Sequence, residues 1–169
     1  RLLYKHMHAS RITVLSTAPQ LGRLCIEMHR TEYDRIAVSH GGSYAGKDMS
    51  TYTEYVGGCG AGRCYCAIQP DGKVTPCVFM PFVVGDLRKQ SFVSIWENTP
   101  EFAVLCDRED RTGHCRVCKY KHHCGGCRAR AYNYLGDFRG GDPGCVYNQK
   151  IWDDIVQKRE IECRMVADS

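Results

Sequence analysis

Five cysteines near the C-terminus, Cys115-x2-Cys118-x5-Cys124-x2-Cys127-x17-Cys145, constrain this chain more than any other feature. Three more, Cys59, Cys64 and Cys77, lie upstream around a short hairpin signature, with Cys66 beside them. Twelve of the 169 residues are cysteine, a few-fold above ordinary usage. Large aliphatics are thinly spread between Cys59 and Cys145, so this stretch can bury only a small apolar core for its length. Cross-links, either disulfides or metal, must supply part of its stability.

Disulfides lack their usual setting here. The N-terminal residues Arg1-Leu2-Leu3-Tyr4-Lys5-His6 are not followed by the apolar stretch of a secretory signal. No run of about 18 apolar residues suggests a membrane span. We therefore expect a cytoplasmic location and no membrane partner. A net charge of +4 is mild and does not indicate nucleic acid. The chain begins without Met, which reads as part of a longer polypeptide.

Cys-x2-Cys pairs are bidentate chelates, because one tight turn points both sulfurs at the same metal or cluster. Zinc would use 115/118 and 124/127 as two knuckles, but five residues make a short link between them, and the upstream cysteines and Cys145 are left over. Iron–sulfur chemistry uses more of the thiols. In ferredoxins the fourth cysteine of a dense run ligates a different cluster from the first three. Applied here, Cys115, Cys118 and Cys124 join Cys145 on one cluster, and Cys127 crosses to Cys59, Cys64 and Cys77. The remaining cysteines, Cys25, Cys106 and Cys163, read as ordinary buried thiols.

The pattern predicts an α+β fold. Ile12–Leu15 reads as a strand and Ala18–Met28 as the helix after it. Residues 39–62, rich in Gly, Ser, Thr and Tyr, read as a loop. Pro70-Asp71-Gly72 between two short apolar segments predicts a hairpin that carries Cys64 at its entrance and Cys77 at its exit. Ser91 is placed to cap a helix, and Thr99-Pro100-Glu101 to start another. Arg128–Leu135 reads as a short helix and Asp142–Cys145 as a turn. The longest helical pattern runs from Asn148 to Val166, with Ile151, Ile155, Val156, Ile161 and Met165 as its apolar stripe.

The segment from Cys59 to Cys77, followed by Val84-Gly85-Asp86-Leu87 and Ser94-Ile95-Trp96, resembles the SPASM domain. This is the auxiliary-cluster extension of certain radical S-adenosylmethionine enzymes. The run Cys115 to Cys127-Arg-Ala-Arg-Ala, with Cys145, completes the likeness. Pro76-Cys77-Val-Phe-Met-Pro and Gly136-Asp137 look most like the branch that alters haem or haem d1 precursors. Peptide maturases share the same domain.

The resemblance implies two 4Fe–4S clusters. One is carried by Cys59, Cys64, Cys77 and Cys127, with Cys66 as the alternative to Cys64. The other is carried by Cys115, Cys118, Cys124 and Cys145. It also implies three parts: residues 1–56 as the last strand–helix unit of a partial (β/α)6 barrel with a linker, 57–147 as the SPASM domain, and 148–169 as a C-terminal helix. The Cys-x3-Cys-x2-Cys triad that binds the S-adenosylmethionine-cleaving cluster occurs nowhere in this sequence. S-adenosylmethionine and a third cluster would then belong to a barrel elsewhere in the same chain or in a partner. A ferredoxin or flavodoxin is the expected electron donor.

Two functions follow. In the first, the chain is the auxiliary-cluster part of an oxidoreductase or maturase acting on a tetrapyrrole or a peptide. In the second, it is a non-catalytic zinc module that docks a protein. The basic residues Arg116, Lys119, Lys121, His122, His123, Arg128 and Arg130 serve either an anionic partner or a solvated rim offsetting the thiolates.

Overall fold

The computed structural model describes residues 16, 18–28, 36–38, 42–44 and 58–167. The strand expected over Ile12–Leu15 lies outside them. Its companion helix is present as α1, Gln20–Met28. Residues 39–62 are not all loop. Gly42–Tyr44 (β2) pairs antiparallel with Ile36–Val38 (β1), Ile36 facing Tyr44. Strands of three residues carry too few alternations to show as a period in the sequence.

The hairpin forms as expected. Ala67–Ile68 (β3) pairs with Lys73–Thr75 (β4), and Gly72 takes φ +80° in the turn. Lys73 N–H donates to the Asp71 carboxylate at 3.2 Å, so the aspartate closes the turn with its own side chain. A third strand, β5 (Gly85–Asp86), joins antiparallel to β4. Glycine is required at 85, because a Cβ there would stand 2.7 Å from the Ile95 side chain packed on the sheet.

Two short helices cover this sheet. In α2 (Phe92–Asn98) the Ser91 hydroxyl accepts from Ser94 N–H at 3.1 Å, the expected cap. Helix α3 (Pro100–Cys106) starts at its proline, but Thr99 does not cap it. The Thr99 hydroxyl donates instead to Ile95 O at 2.5 Å, closing the preceding helix. Val74, Ile95, Phe102 and Leu105 are buried between sheet and helices, with Cys66, Val84, Leu87, Trp96 and Phe138 around them.

A second core holds Ala61, Cys77, Met80 and Ala129, flanked by Cys59, Tyr65, Phe82, Cys127, Tyr132 and Phe138. Phe138 touches both cores. Each fully buried aliphatic or aromatic side chain contributes about 1.5–3 kcal/mol, so clusters as small as these leave much of the stability of their surroundings to other ties. The second core leads into α4 (Gly113–Val117), a five-residue helix not anticipated from sequence, and α5 (Arg128–Leu135). Gly136 ends α5 in the left-handed region and donates to Tyr132 O at 2.8 Å.

The chain closes with a 3-10 turn, Val146–Asn148, and α6, Gln149–Ala167. The apolar stripe of α6 is half-buried at Ile151 and Ile155 but exposed at Val156, Ile161 and Met165. Cys106 and Cys163 are likewise exposed, not the buried thiols expected, because each lies at or near a helix end turned to solvent. The side chain of Cys25 lies outside the described residues. Among the described residues no helix is long and apolar enough to cross a membrane.

Candidate metal centres

The first centre is built where the hairpin exit meets the loop before it. Gly58, at φ +81°, brings the chain so close to Cys124 that a Cβ would stand 2.8 Å from its carbonyl oxygen. Cys59 N–H donates to that same oxygen at 3.2 Å, tying the two cysteine segments together. Gly60 O then accepts from the N–H groups of Arg63, Cys64 and Tyr65, and Gly62 N–H donates to Pro76 O at 3.1 Å. Cys77 is buried beside this loop, and the Thr75 hydroxyl holds its carbonyl at 3.2 Å.

Cys127 is the residue before the first turn of α5. Cys59, Cys77 and Cys127 line one cavity of about 290 Å³, closed further by Tyr65, Phe79, Arg130 and Asn133. The Tyr65 hydroxyl points at Cys77 Sγ, 4.0 Å away. Burial, and then the charges of the same three cysteines, push the phenol's pKa upward, so it stays a neutral donor.

Cys64 and Cys66 are placed elsewhere. Cys64 is exposed and does not line the cavity; its charge acts on Cys106, whose thiol lies 3.7 Å from Gly62 O. Cys66 packs against the core of Val74, Ile95, Phe102 and Leu105.

The second centre gathers Cys115 and Cys124, both buried, with Cys145 half-buried. Burial raises the Cys124 thiol to about 12, and the nearby charges of Cys145, Asp142 and Cys115 add to the shift. Burial also pushes Cys145 up, again with Cys115 and Asp142 among its neighbours. Cys124 and Cys145 thus sit where burial opposes negative charge, so binding a cationic metal there must displace their protons. Cys118 stands at the C-terminal end of α4, its carbonyl accepting from Lys121 N–H at 3.0 Å.

Two buried charges hold these centres. Arg128 has no exposed surface and donates to Phe138 O and Gly140 O, both at 2.8 Å, and to Gly126 O at 3.3 Å. Its remaining nitrogen lies 3.8 Å from Cys115 Sγ, which Asn148 also approaches at 3.9 Å. Gly126 makes room for this: a Cβ there would meet Arg128, Asp142 and Cys115 together.

Asp142, also without exposed surface, accepts from Cys127 N–H at 2.7 Å, Arg130 at 2.8 and 2.9 Å, Gly144 N–H at 2.9 Å, and the Gln20 amide. That hydrogen-bonded pairing raises the pKa of Arg130. The basic residues are therefore not one solvated rim. Arg116 and Lys119 are exposed and Lys121 pairs with Glu109 at 2.6 Å, but Arg128 is interior because the backbone carbonyls of three residues need it. Sequence reasoning did not single out Tyr65, Asn148 or Asp142 as site residues. Asp-Pro-Gly at 142–144 is ordinary turn grammar, and nothing in it signals burial.

The donor set fits an iron–sulfur body. It is all thiolate, it surrounds a space rather than a point, and N–H groups are aimed at sulfur. Among the described residues no three His, Cys, Asp or Glu side chains are grouped tightly enough for a single metal ion.

Cysteines grouped in this way, around one cavity and buried beside it, are the ligand chemistry of an iron–sulfur protein. The comparison with known families agrees: residues 59–127 match SPASM, described as an iron–sulfur cluster-binding domain. Those residues are a SPASM domain of the radical S-adenosylmethionine enzymes. The chain is 36% identical over 146 residues to the AdoMet-dependent heme synthase of Methanosarcina barkeri, covering 85% of this chain and 39% of that protein. It is 39% identical over 93 residues to the AdoMet-dependent heme synthase of Nitratidesulfovibrio vulgaris, 55% of this chain and 25% of that one. The mycofactocin maturase MftC of Mycobacterium ulcerans is 37% identical over 93 residues, 52% of this chain and 25% of the maturase. The chain thus spans well under half the length of the curated relatives it matches.

Proposed function

We propose that this chain is the auxiliary-cluster portion of a radical S-adenosylmethionine oxidoreductase acting on a tetrapyrrole of the haem-precursor kind. Two 4Fe–4S clusters would carry electrons during the oxidative modification. The observation that carries the reading is the placement of Cys127. It stands with Cys59 and Cys77 around one cavity, although Cys115, Cys118 and Cys124 are its neighbours in sequence. A crossed arrangement of this kind is what two clusters sharing one cysteine run require.

In this reading Cys115, Cys118, Cys124 and Cys145 hold one cluster. Cys59, Cys77 and Cys127 hold the other, with Cys64, or Cys66 in its place, as the sequence's candidate for the fourth ligand. The clusters, when bound, supply one-electron transfer. The chain's own residues bury the sulfurs, aim the Arg128 and Asn148 donors at Cys115 and the Tyr65 donor at Cys77, and keep Asp142 between the two centres. Residues 57–147 form the auxiliary domain, 1–56 the end of the barrel and its linker, and 148–169 the closing helix. The barrel that cleaves S-adenosylmethionine is supplied by further sequence of the same protein or by a partner, and a ferredoxin or flavodoxin delivers electrons in the cytoplasm.

A tetrapyrrole is favoured over a peptide because the likeness to the Methanosarcina heme synthase runs over 146 residues, against 93 for the maturase. Anaerobic purification with iron and acid-labile sulfide analysis tests the reading. Two clusters' worth of both, with a brown colour bleached by dithionite, is the expected result. A colourless protein with stoichiometric zinc would instead establish the protein-docking module.

A further inference from the structure

We infer that Arg23, on α1, tunes the second cluster: its buried Nε–H is a donor for sulfur on the Cys145 side, and its charge raises that cluster's potential. The inference rests on the reading of Cys115, Cys118, Cys124 and Cys145 as one cluster site.

Arg23 is distant from these cysteines in sequence, and the fold brings it to them. Leu21, Arg23, Leu24 and Glu27 of α1 line one cavity with Val146 and Tyr147, the two residues after Cys145. The guanidinium carbon of Arg23 stands 5.0 Å from the centre of the Tyr147 ring. The ring of His114, the residue before Cys115, packs on the same tyrosine at 5.1 Å. Tyr147 is fastened to α1 in turn. Its hydroxyl donates to Glu27 Oε1 at 2.8 Å, and Arg23 Nη1 donates to that same oxygen at 2.7 Å.

These contacts fix the guanidinium and leave one of its donors unspent. The side chain is only 12% exposed, so solvent screens its charge less than that of a surface arginine. Nη1 is taken by Glu27, but Nε–H is buried with no hydrogen bond among the described residues. An unpaired buried donor costs about 1–3 kcal/mol, which marks a place where an acceptor is missing. Cys145 supplies the chemistry. Burial pushes its thiol up, and the charge of Arg23 pulls against that shift. Burial also opposes the charge of Arg23, and Glu27, Tyr147 and Cys145 together outweigh it, so its pKa is raised. Thiolate and cluster sulfide are the electron-rich acceptors that suit such a donor, and both the bond and the charge favour the more negative, reduced cluster.

Redox titration of the iron-loaded protein, followed by electron paramagnetic resonance, tests this in wild type, Arg23→Met, Arg23→Lys and the double variant Arg23→Met/Glu27→Gln. Cys145→Ser identifies the signal of the second cluster. The Arg23 variants are expected to keep the wild-type iron and sulfide. Arg23→Met should cut the reduced-to-oxidised ratio of the second cluster about tenfold at fixed potential, a midpoint lower by about 59 mV for one electron, and leave the first cluster unchanged. Arg23→Lys keeps the charge and should lie between Arg23→Met and wild type. The double variant leaves no carboxylate uncovered at position 27 and should still lie below wild type. An unmoved second midpoint in Arg23→Met, an equal shift of both clusters, or a wild-type value in the double variant overturns the inference while leaving the cluster reading intact. Should Arg23→Met lose iron, the fully loaded Arg23→Lys carries the same test, and a wild-type midpoint there overturns the inference. If Cys145→Ser alters neither the iron content nor either signal, Cys145 ligates no cluster, and reading and inference fall together.

Discussion

Arg128 is costly to remove because its partners are backbone groups that cannot move away. Replacing it with Met leaves the carbonyls of Phe138 and Gly140, and the weaker contact at Gly126, without their donor. Each buried polar group left unpaired costs about 1–3 kcal/mol, so Arg128→Met should destabilise the loaded protein by about 3 kcal/mol or more, read from anaerobic denaturant unfolding. A loss within about 0.5 kcal/mol would mean the carbonyls find water. Asn148 affects the cluster more directly. Donors aimed at a ligand sulfur stabilise the more negative, reduced state and raise the potential. Asn148→Leu removes the contact to Cys115 Sγ, so an electron paramagnetic resonance redox titration should find the second cluster harder to reduce. An unchanged or raised midpoint would show that this contact does not tune it.

At the scale of elements, the local rules that place the hairpin and helices are strong enough to test singly. Ser91→Ala removes the cap of α2 and should cost about 1 kcal/mol in thermal or denaturant unfolding, with the clusters untouched. The same change at Thr99 has a different physical meaning, since that hydroxyl serves Ile95 O and its loss frays the end of α2 rather than the start of α3. Much of this was legible in the sequence. Pro-Asp-Gly gave away the hairpin, Ser91 the cap, and the run Arg128–Leu135 the helix α5. What stayed hidden depends on contacts between distant segments. Strand β5 has two residues, and α4 has five, too few to show periodicity. The interior position of Arg128 follows from where the chain returns at Phe138 and Gly140. Cys64 reads as a ligand because it opens the hairpin; that Tyr65 lines the cavity and Cys64 does not goes with the three bonds to Gly60 O, which no spacing reveals.

For the molecule as a whole, the two apolar clusters differ in how far they depend on metal. The core of Val74, Ile95, Phe102 and Leu105 is closed by a sheet and two helices, and among the described residues Cys66 is the one cysteine packed against it. The second core is edged by Cys59, Cys77 and Cys127, and its surroundings are joined by polar ties centred on Asp142, which links Gln20, Cys127, Arg130 and Gly144. Metal binding free energy is folding free energy where the site is assembled only by folding. Removing iron with a chelator under reducing conditions should therefore loosen the second half first. Hydrogen exchange would show early loss of protection at Cys59 N–H and Cys127 N–H, while Val84 N–H, bonded to Val74 O at 2.8 Å, stays protected. Asp142→Asn, which removes the counter-charge of half-buried Arg130 and weakens the buried acceptor of Cys127 N–H, should produce the same ordering with iron still bound, at a cost of about 1–3 kcal/mol. If both halves lose protection together in the iron-free protein, the chain is a single cooperative unit held by its clusters, and the hairpin core has no stability of its own.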